Sequence, residues 1–240
     1  MRPVVLTFGG KRLVDSNGKA IFRYGIAEIG GKTYKTVKIG NMEWLAENLD
    51  WLPSGITLQT ANLPTCSDPS AWRYTVASFE CGLFYNCHAV PVINAALAGT
   101  GWRVAANADF VALGTAAGFS ITPGETTYDD GLRKIMSVGY WQDNADNPKP
   151  GVDTYGFNLL PTSYKDDYAS GPYAAGYVSS RIGMTTDLWS SSLSSYQDQP
   201  YRFYIDTDNR LTGTLTSYAN TGGVAYNIRL VRELQQFYGE

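Results

Sequence analysis

The chain is poor in the residues that do most enzymatic and metal chemistry. It has one histidine and three cysteines in 240 residues. Cys66, Cys81 and Cys87 form no CxxC pair, so neither a zinc site nor a disulfide framework is expected, and all three read as buried free thiols. Charge is also sparse. Nineteen basic residues against 22 acidic ones leave a formal charge of −3, which gives no electrostatic footprint for nucleic acid. There is no apolar run near the roughly 20 residues that a membrane helix needs. The opening MRPVVLTFGGKRLVDSNGKA holds no stretch long enough for a signal peptide. From that we expect a protein made in the cytoplasm that stays there or leaves inside an assembly, without membrane insertion.

What is abundant is tyrosine, at 17 residues, and glycine, at 25. Many aromatics and glycines with few helical periods point to a β-rich architecture. VVLTF and AIFRYGI are strand-like, with Asn17-Gly18 between them as a hairpin signal. Gly30-Gly31 separates two further β-type runs, and KTYKTVKI at 32–39 alternates as a strand does. Pro53, Pro64 and Pro69 discourage long elements between about 50 and 80. The clearest helix is 107–118, with Asn107 as N-cap and Phe110, Leu113 and Ala117 on one face. A shorter helix is expected over Asp129–Met136. The last strand, 224–232, should put Val224, Tyr226, Ile228 and Leu230 on one face. Gly101 and Gly156 are expected at close approaches or positive φ.

Four separated segments carry a resemblance. They are GGKTYKTVKIGNMEWLAENL at 30–49, GLFYNCHAV at 82–90, GWRVAANADFVAL at 101–113, and TYGFNLLP followed by LWSSS and YNIRLVR. In this order they resemble the Fibrobacter succinogenes major paralogous domain, a C-type lectin-like fold, over roughly residues 28–232. Ala105-Ala106, Asp109-Phe110 and Cys87-His88 depart from its usual pattern at packing and capping positions. The resemblance implies an α+β, β-rich fold with one or two short helices. It also implies a domain plan: a β extension over 1–27 for attachment or oligomerisation, a ligand-binding domain over 28–232, and a tail over 233–240. Trp44, Trp102, Trp141 and Trp189 sit in family-like motifs and read as core; Trp51 and Trp72 are open between core and sugar-stacking roles. His88 replaces an aromatic in a strand-like packing motif and reads as a core histidine.

The same fold class includes phage receptor-binding proteins and targets of diversity-generating retroelements, whose final strands and loops form the ligand surface. The stretch 187-DLWSSSLSSYQDQPYRFYIDTDNR-210 and 214-TLTSYANTGG-223 have the Tyr, Ser and Asn mixture of such surfaces. Tyrosine gives broad amphipathic contact at low rotamer cost, while Ser and Asn adapt their hydrogen bonding. The expected ligand-binding residues are Ser192, Ser194, Tyr196, Asp198 and Tyr204, followed by Asp208, Arg210, Ser217, Tyr218 and Asn220. The plain alternative is that Ser, Tyr and Thr populate solvent-facing strand positions and turns.

No catalytic constellation stands out. The formylglycine-generating enzymes of this fold class use cysteines in the C-terminal half, where this chain has none. DTDN at 206–209 is only loosely like a calcium loop, and a hairpin turn explains Asp206, Asp208 and Asn209 more simply. Asp129, Asp130, Asp166 and Asp167 read as solvated. The expectation is a non-enzymatic protein without metal or cofactor, most simply a phage tail-fibre or virion adhesin. Its partners would be a bacterial surface protein or glycan, other virion proteins and its own copies in a homotrimer. The alternatives are a structural virion or surface-assembly component that packs against neighbouring subunits, and residence on the bacterial cell surface.

Overall fold

The computed structural model describes residues 7–8, 11–12, 24–60, 66–76, 78–142, 151–165, 181–195, 200–207, 211–217 and 223–234. In chain order the elements begin with β1 (Thr7–Phe8), β2 (Lys11–Arg12), β3 (Gly25–Ile29), β4 (Lys32–Ile39) and β5 (Met42–Leu45). They continue with β6 (Thr57–Gln59), β7 (Ser70–Val76), β8 (Phe79–Tyr85), α1 (Ala89–Ala96), β9 (Arg103–Val104) and α2 (Asn107–Ala117). Last come β10 (Thr126–Thr127), a 3-10 helix (Asp130–Lys134), β11 (Thr185–Leu193), β12 (Pro200–Asp206), β13 (Thr212–Ser217) and β14 (Leu230–Glu233). The chain is therefore α+β and mostly β.

A five-stranded sheet in the order β3-β4-β5-β14-β9 forms the centre and joins the two ends of the chain, with Val231 of β14 opposite Trp44 of β5. Because side chains alternate along a strand, neighbouring residues enter different cores. Trp44 and Val231 join one cluster with α2 and the C-terminal sheet; Leu45 and Leu230 join a second with α1. β4 does the same: Tyr34 enters the second cluster, Val37 and Ile39 the first. The expected alternation is present, but both faces are covered. The β3–β4 connection is two residues, Ile29 facing Lys32, with Gly30 at φ 58° and Gly31 at φ 79°. Left-handed angles at both turn positions suit a tight hairpin. A Cβ on Gly30 would also meet the Trp51 ring at 1.9 Å, so no larger residue fits.

The four-stranded C-terminal sheet runs β10-β13-β12-β11, and Phe110 of α2 stacks on Phe203 of β12 at 4.8 Å. As expected, Phe110, Leu113 and Ala117 are buried, and Gly118 ends α2 in the left-handed conformation at φ 79°. Trp44, Trp102, Trp141 and Trp189 are core; Trp72 is also buried, and Trp51 half-buried. Gly101 and Gly156 have φ of 81° and 73°.

Several expectations are corrected. Asn107 is the first helical residue and Ala106 the N-cap; the Asp109 carboxylate accepts the Ala106 N–H at 2.7 Å. The helix expected over 129–136 contracts to the 3-10 turn, capped by Asp129 accepting from Gly131 N–H at 2.8 Å. Cys87-His88 do not lie in a strand: His88 is the N-cap of α1 and half-buried, so it is no core histidine, and Cys87 is half-buried too. Asp206 is the last residue of β12, not part of a turn. The 224–232 run is regular strand only from Leu230, yet Val224, Tyr226, Ile228 and Leu230 do share one core. β3 pairs fully with β4 from Gly25 onwards, so the central sheet starts before position 28. Asn17-Gly18 lies outside the described residues.

Candidate functional site: the outer face of the C-terminal sheet

β12 sets this face. Phe203 and Ile205 point into the first core, so Arg202, Tyr204 and Asp206 must point the other way. Cross-strand register then builds rows. Asp187 of β11, Tyr204 and Thr214 of β13 stand side by side, Asp206 lies between Thr185 and Thr212, and Arg202 between Trp189 and Thr216.

Two arginine–aspartate pairs lock the face. Arg181, just before β11, donates from its Nη2 to both carboxylate oxygens of Asp206 at 2.8 Å, while its Nη1 reaches the Tyr204 hydroxyl, so both ends of the guanidinium are held. The Tyr204 hydroxyl donates to Asp206 at 2.6 Å and accepts from Arg181 at 3.2 Å. Burial, reinforced by the Asp206 carboxylate, pushes the Tyr204 hydroxyl well above the usual phenol range, so it serves as a donor and not as a base. Arg202 donates to Asp187 at 2.5 Å and to the Tyr226 hydroxyl at 3.1 Å. Its guanidinium lies 4.7 Å from the Tyr204 ring centre and 5.3 Å from that of Tyr226, within cation–π range of both. Asp187 is fully buried, and burial pushes its carboxyl up to about 6 although Arg202 pulls the other way.

Of the ten residues expected from sequence, the structure brings Tyr204 onto this face. Ser217 ends β13, opposite Tyr201. Ser192 and Ser194 are placed differently from an open contact surface. The Ser192 hydroxyl accepts the Asn107 N–H at 3.0 Å, and Ser194 is 7% exposed. Ser190 donates to the Asn107 side chain at 2.7 Å and Ser191 to Val104 O at 3.1 Å. The serine run therefore pins β11 to β9 and to the start of α2. Tyr196, Asp198, Asp208, Arg210, Tyr218 and Asn220 lie outside the described residues. Sequence reasoning missed Asp187, Arg202, Arg181 and Tyr226. The alternation of PYRFYID could have found Arg202; nothing local marks Arg181.

The three thiols are free, and burial pushes Cys87 up to about 11, which keeps it protonated near neutral pH. Among the described residues no three His, Cys, Asp or Glu side chains are grouped to hold a metal, and no helix is long and apolar enough to cross a membrane.

No curated protein and no solved structure matches the chain significantly. The family model of the Fibrobacter succinogenes major domain, however, matches residues 37–232, which take in the four-stranded C-terminal sheet, both helices and the arginine–aspartate face, and the central sheet without β3. The chain belongs to the Fibrobacter succinogenes major domain family.

Proposed function

We propose that this protein is a non-enzymatic ligand-binding module that reads its ligand on the outer face of the C-terminal sheet. The observation that carries the reading is the Arg181–Asp206–Tyr204 clasp beside Arg202, a rigid polar and aromatic platform of half-buried side chains that the fully buried Asp187 and Tyr226 hold from beneath. Preorganised aromatic and arginine anchors lose little entropy on binding, and such residues dominate contact energy. Thr212, Thr214 and Thr216 extend the platform with half-buried hydroxyls. The protonated state of Cys87 supports a role without thiol chemistry.

The finer reading is a phage tail-fibre or virion adhesin with a C-type lectin-like fold, recognising a bacterial surface receptor. In it, Tyr196, Asp198, Asp208, Arg210, Tyr218 and Asn220 supply contacts that a retroelement can vary around the fixed platform. The test is binding of purified chain to a panel of intact bacteria, beside a Tyr196→Ala, Tyr204→Ala, Tyr218→Ala variant of unchanged melting temperature. Saturable binding by the parent and none by the variant is expected; equal binding by both would contradict the assignment of the face.

A further inference from the structure

A cleft of about 870 Å³ is lined by the β3–β4 hairpin, the chain after β5, the β7–β8 hairpin and the segments at Tyr140 and Asn158; it includes no residue of β11, β12 or β13. Its size lies within the range of small-molecule sites, roughly 300–1,000 Å³. Asn158 forms part of its wall with φ of 53°, a left-handed angle uncommon outside glycine. Two groups hold that backbone: Asp153 accepts the Asn158 N–H at 3.0 Å, and Arg229 donates to its carbonyl at 2.9 Å. The Asn158 Oδ1 is buried without a hydrogen-bond partner among the described residues. An unmet acceptor beside a cleft is unfavourable for the free protein, and turning the Asn158 amide toward the cleft would let a ligand donor satisfy it.

The same Arg229 positions the neighbouring wall. Its Nε donates to Asn48 Oδ1 at 2.7 Å, while the Asn48 amide donates to Cys81 O at 2.9 Å. Arg229 is fully buried, and burial pushes it down to about 9, so it remains a cation at neutral pH. A buried charge thus braces two asparagines of one cleft.

The lining's charges define the ligand. Lys32, Lys35 and Arg73 face Glu47, Asp50 and Glu80, three cations against three anions and no net charge. The cations are already engaged: Lys32 and Arg73 both hold Asp50, and Lys35 lies 3.9 Å from Glu47. Burial alone would raise Asp50, but the hydrogen bonds from Arg73 and Lys32 keep it below the ordinary carboxylate range. An anionic ligand would have to break these pairs. Aromatic edges are present too, with Phe79 and Tyr140 packed edge-to-face at 5.3 Å. Mixed donors and acceptors beside aromatic rings suit a group that both donates and accepts and carries apolar C–H groups. We propose that this cleft is a second binding site, for a neutral polyhydroxylated ligand such as an oligosaccharide segment.

The test is calorimetric titration of the full chain with cellohexaose, maltohexaose, xylohexaose and chitohexaose at millimolar concentration, with inorganic phosphate as the anionic comparison. At least one neutral oligosaccharide should bind saturably. Asn158→Gly, which removes the amide while tolerating the left-handed backbone, should weaken it by about tenfold or more. Tyr140→Ala should do the same, and Thr214→Arg on the sheet face should leave it unchanged, which separates this site from the proposed one. Binding of phosphate in place of sugar, binding of none of the sugars, or binding insensitive to Asn158→Gly would overturn the proposal. If Tyr140→Ala fails to fold, Asn158→Gly decides.

Discussion

Replacing Asp187 by asparagine should make the protein's stability respond differently to pH, because the carboxyl is fully buried and burial pushes it from 3.8 up to about 6. A group whose folded value is raised binds its proton more tightly in the folded state. Its favourable contribution is therefore complete below about 3.8 and is lost as pH rises through about 6. The shift of about two units corresponds to about 3 kcal/mol at ~1.4 kcal/mol per unit. Asparagine keeps the shape and an acceptor for Arg202 but does not titrate. The stability of the parent minus that of Asp187→Asn should accordingly fall by about 2.5 kcal/mol between pH 4 and pH 7.5, most of it near pH 4–6. Urea denaturation of both proteins across that range reads the difference directly, and common changes from other groups cancel. A difference that stays constant within about 0.5 kcal/mol would refute the reasoning, since it would mean that Arg202 fully offsets the burial of the charge.

Two further perturbations test the interior. Ser192→Ala removes the acceptor of the first helical N–H of α2 and should destabilise by about 1 kcal/mol, or roughly 2–4 °C in melting temperature, by calorimetry. No change in melting would release Ser192 from its structural role. Arg229→Met deprives Asn48 Oδ1 and the carbonyls of Leu45, Phe157 and Asn158 of their donor. Unmet buried acceptors at ~1–3 kcal/mol each, offset by no longer burying a charge, give an expected loss on the order of 4 kcal/mol in urea denaturation. A loss under about 1 kcal/mol would show that burying the guanidinium costs as much as its bonds return.

The parts of this fold that are legible in sequence are those fixed by local period. The buried face of α2, the Gly30-Gly31 hairpin and the shared core side of Val224, Tyr226, Ile228 and Leu230 all follow from spacing alone. α1 escaped because Val90, Val92 and Ile93 are β-branched and Pro91 interrupts the run. Proline is tolerated in the first helical turn, where the backbone N–H lacks an intrahelical partner. The serine run escaped for a different reason. Ser190 and Ser192 find their partners 83 and 85 residues away at Asn107, so a local reading places them on a surface. Half of the face was similarly hidden: Tyr204 stands out by composition, whereas Asp187 reveals its burial only once β11 lies between β12 and the Tyr226 segment.

The sheet face is tested most directly by saturation binding of fluorescently labelled chain to intact bacteria, comparing the parent with Thr214→Arg. Thr214 is half-buried beside Tyr204, so arginine there should cover the platform without opening the core. The account predicts saturable binding by the parent and at least a tenfold weaker response by the variant, with unchanged melting. Equal binding curves, or no saturable binding by the parent across the panel, would contradict it.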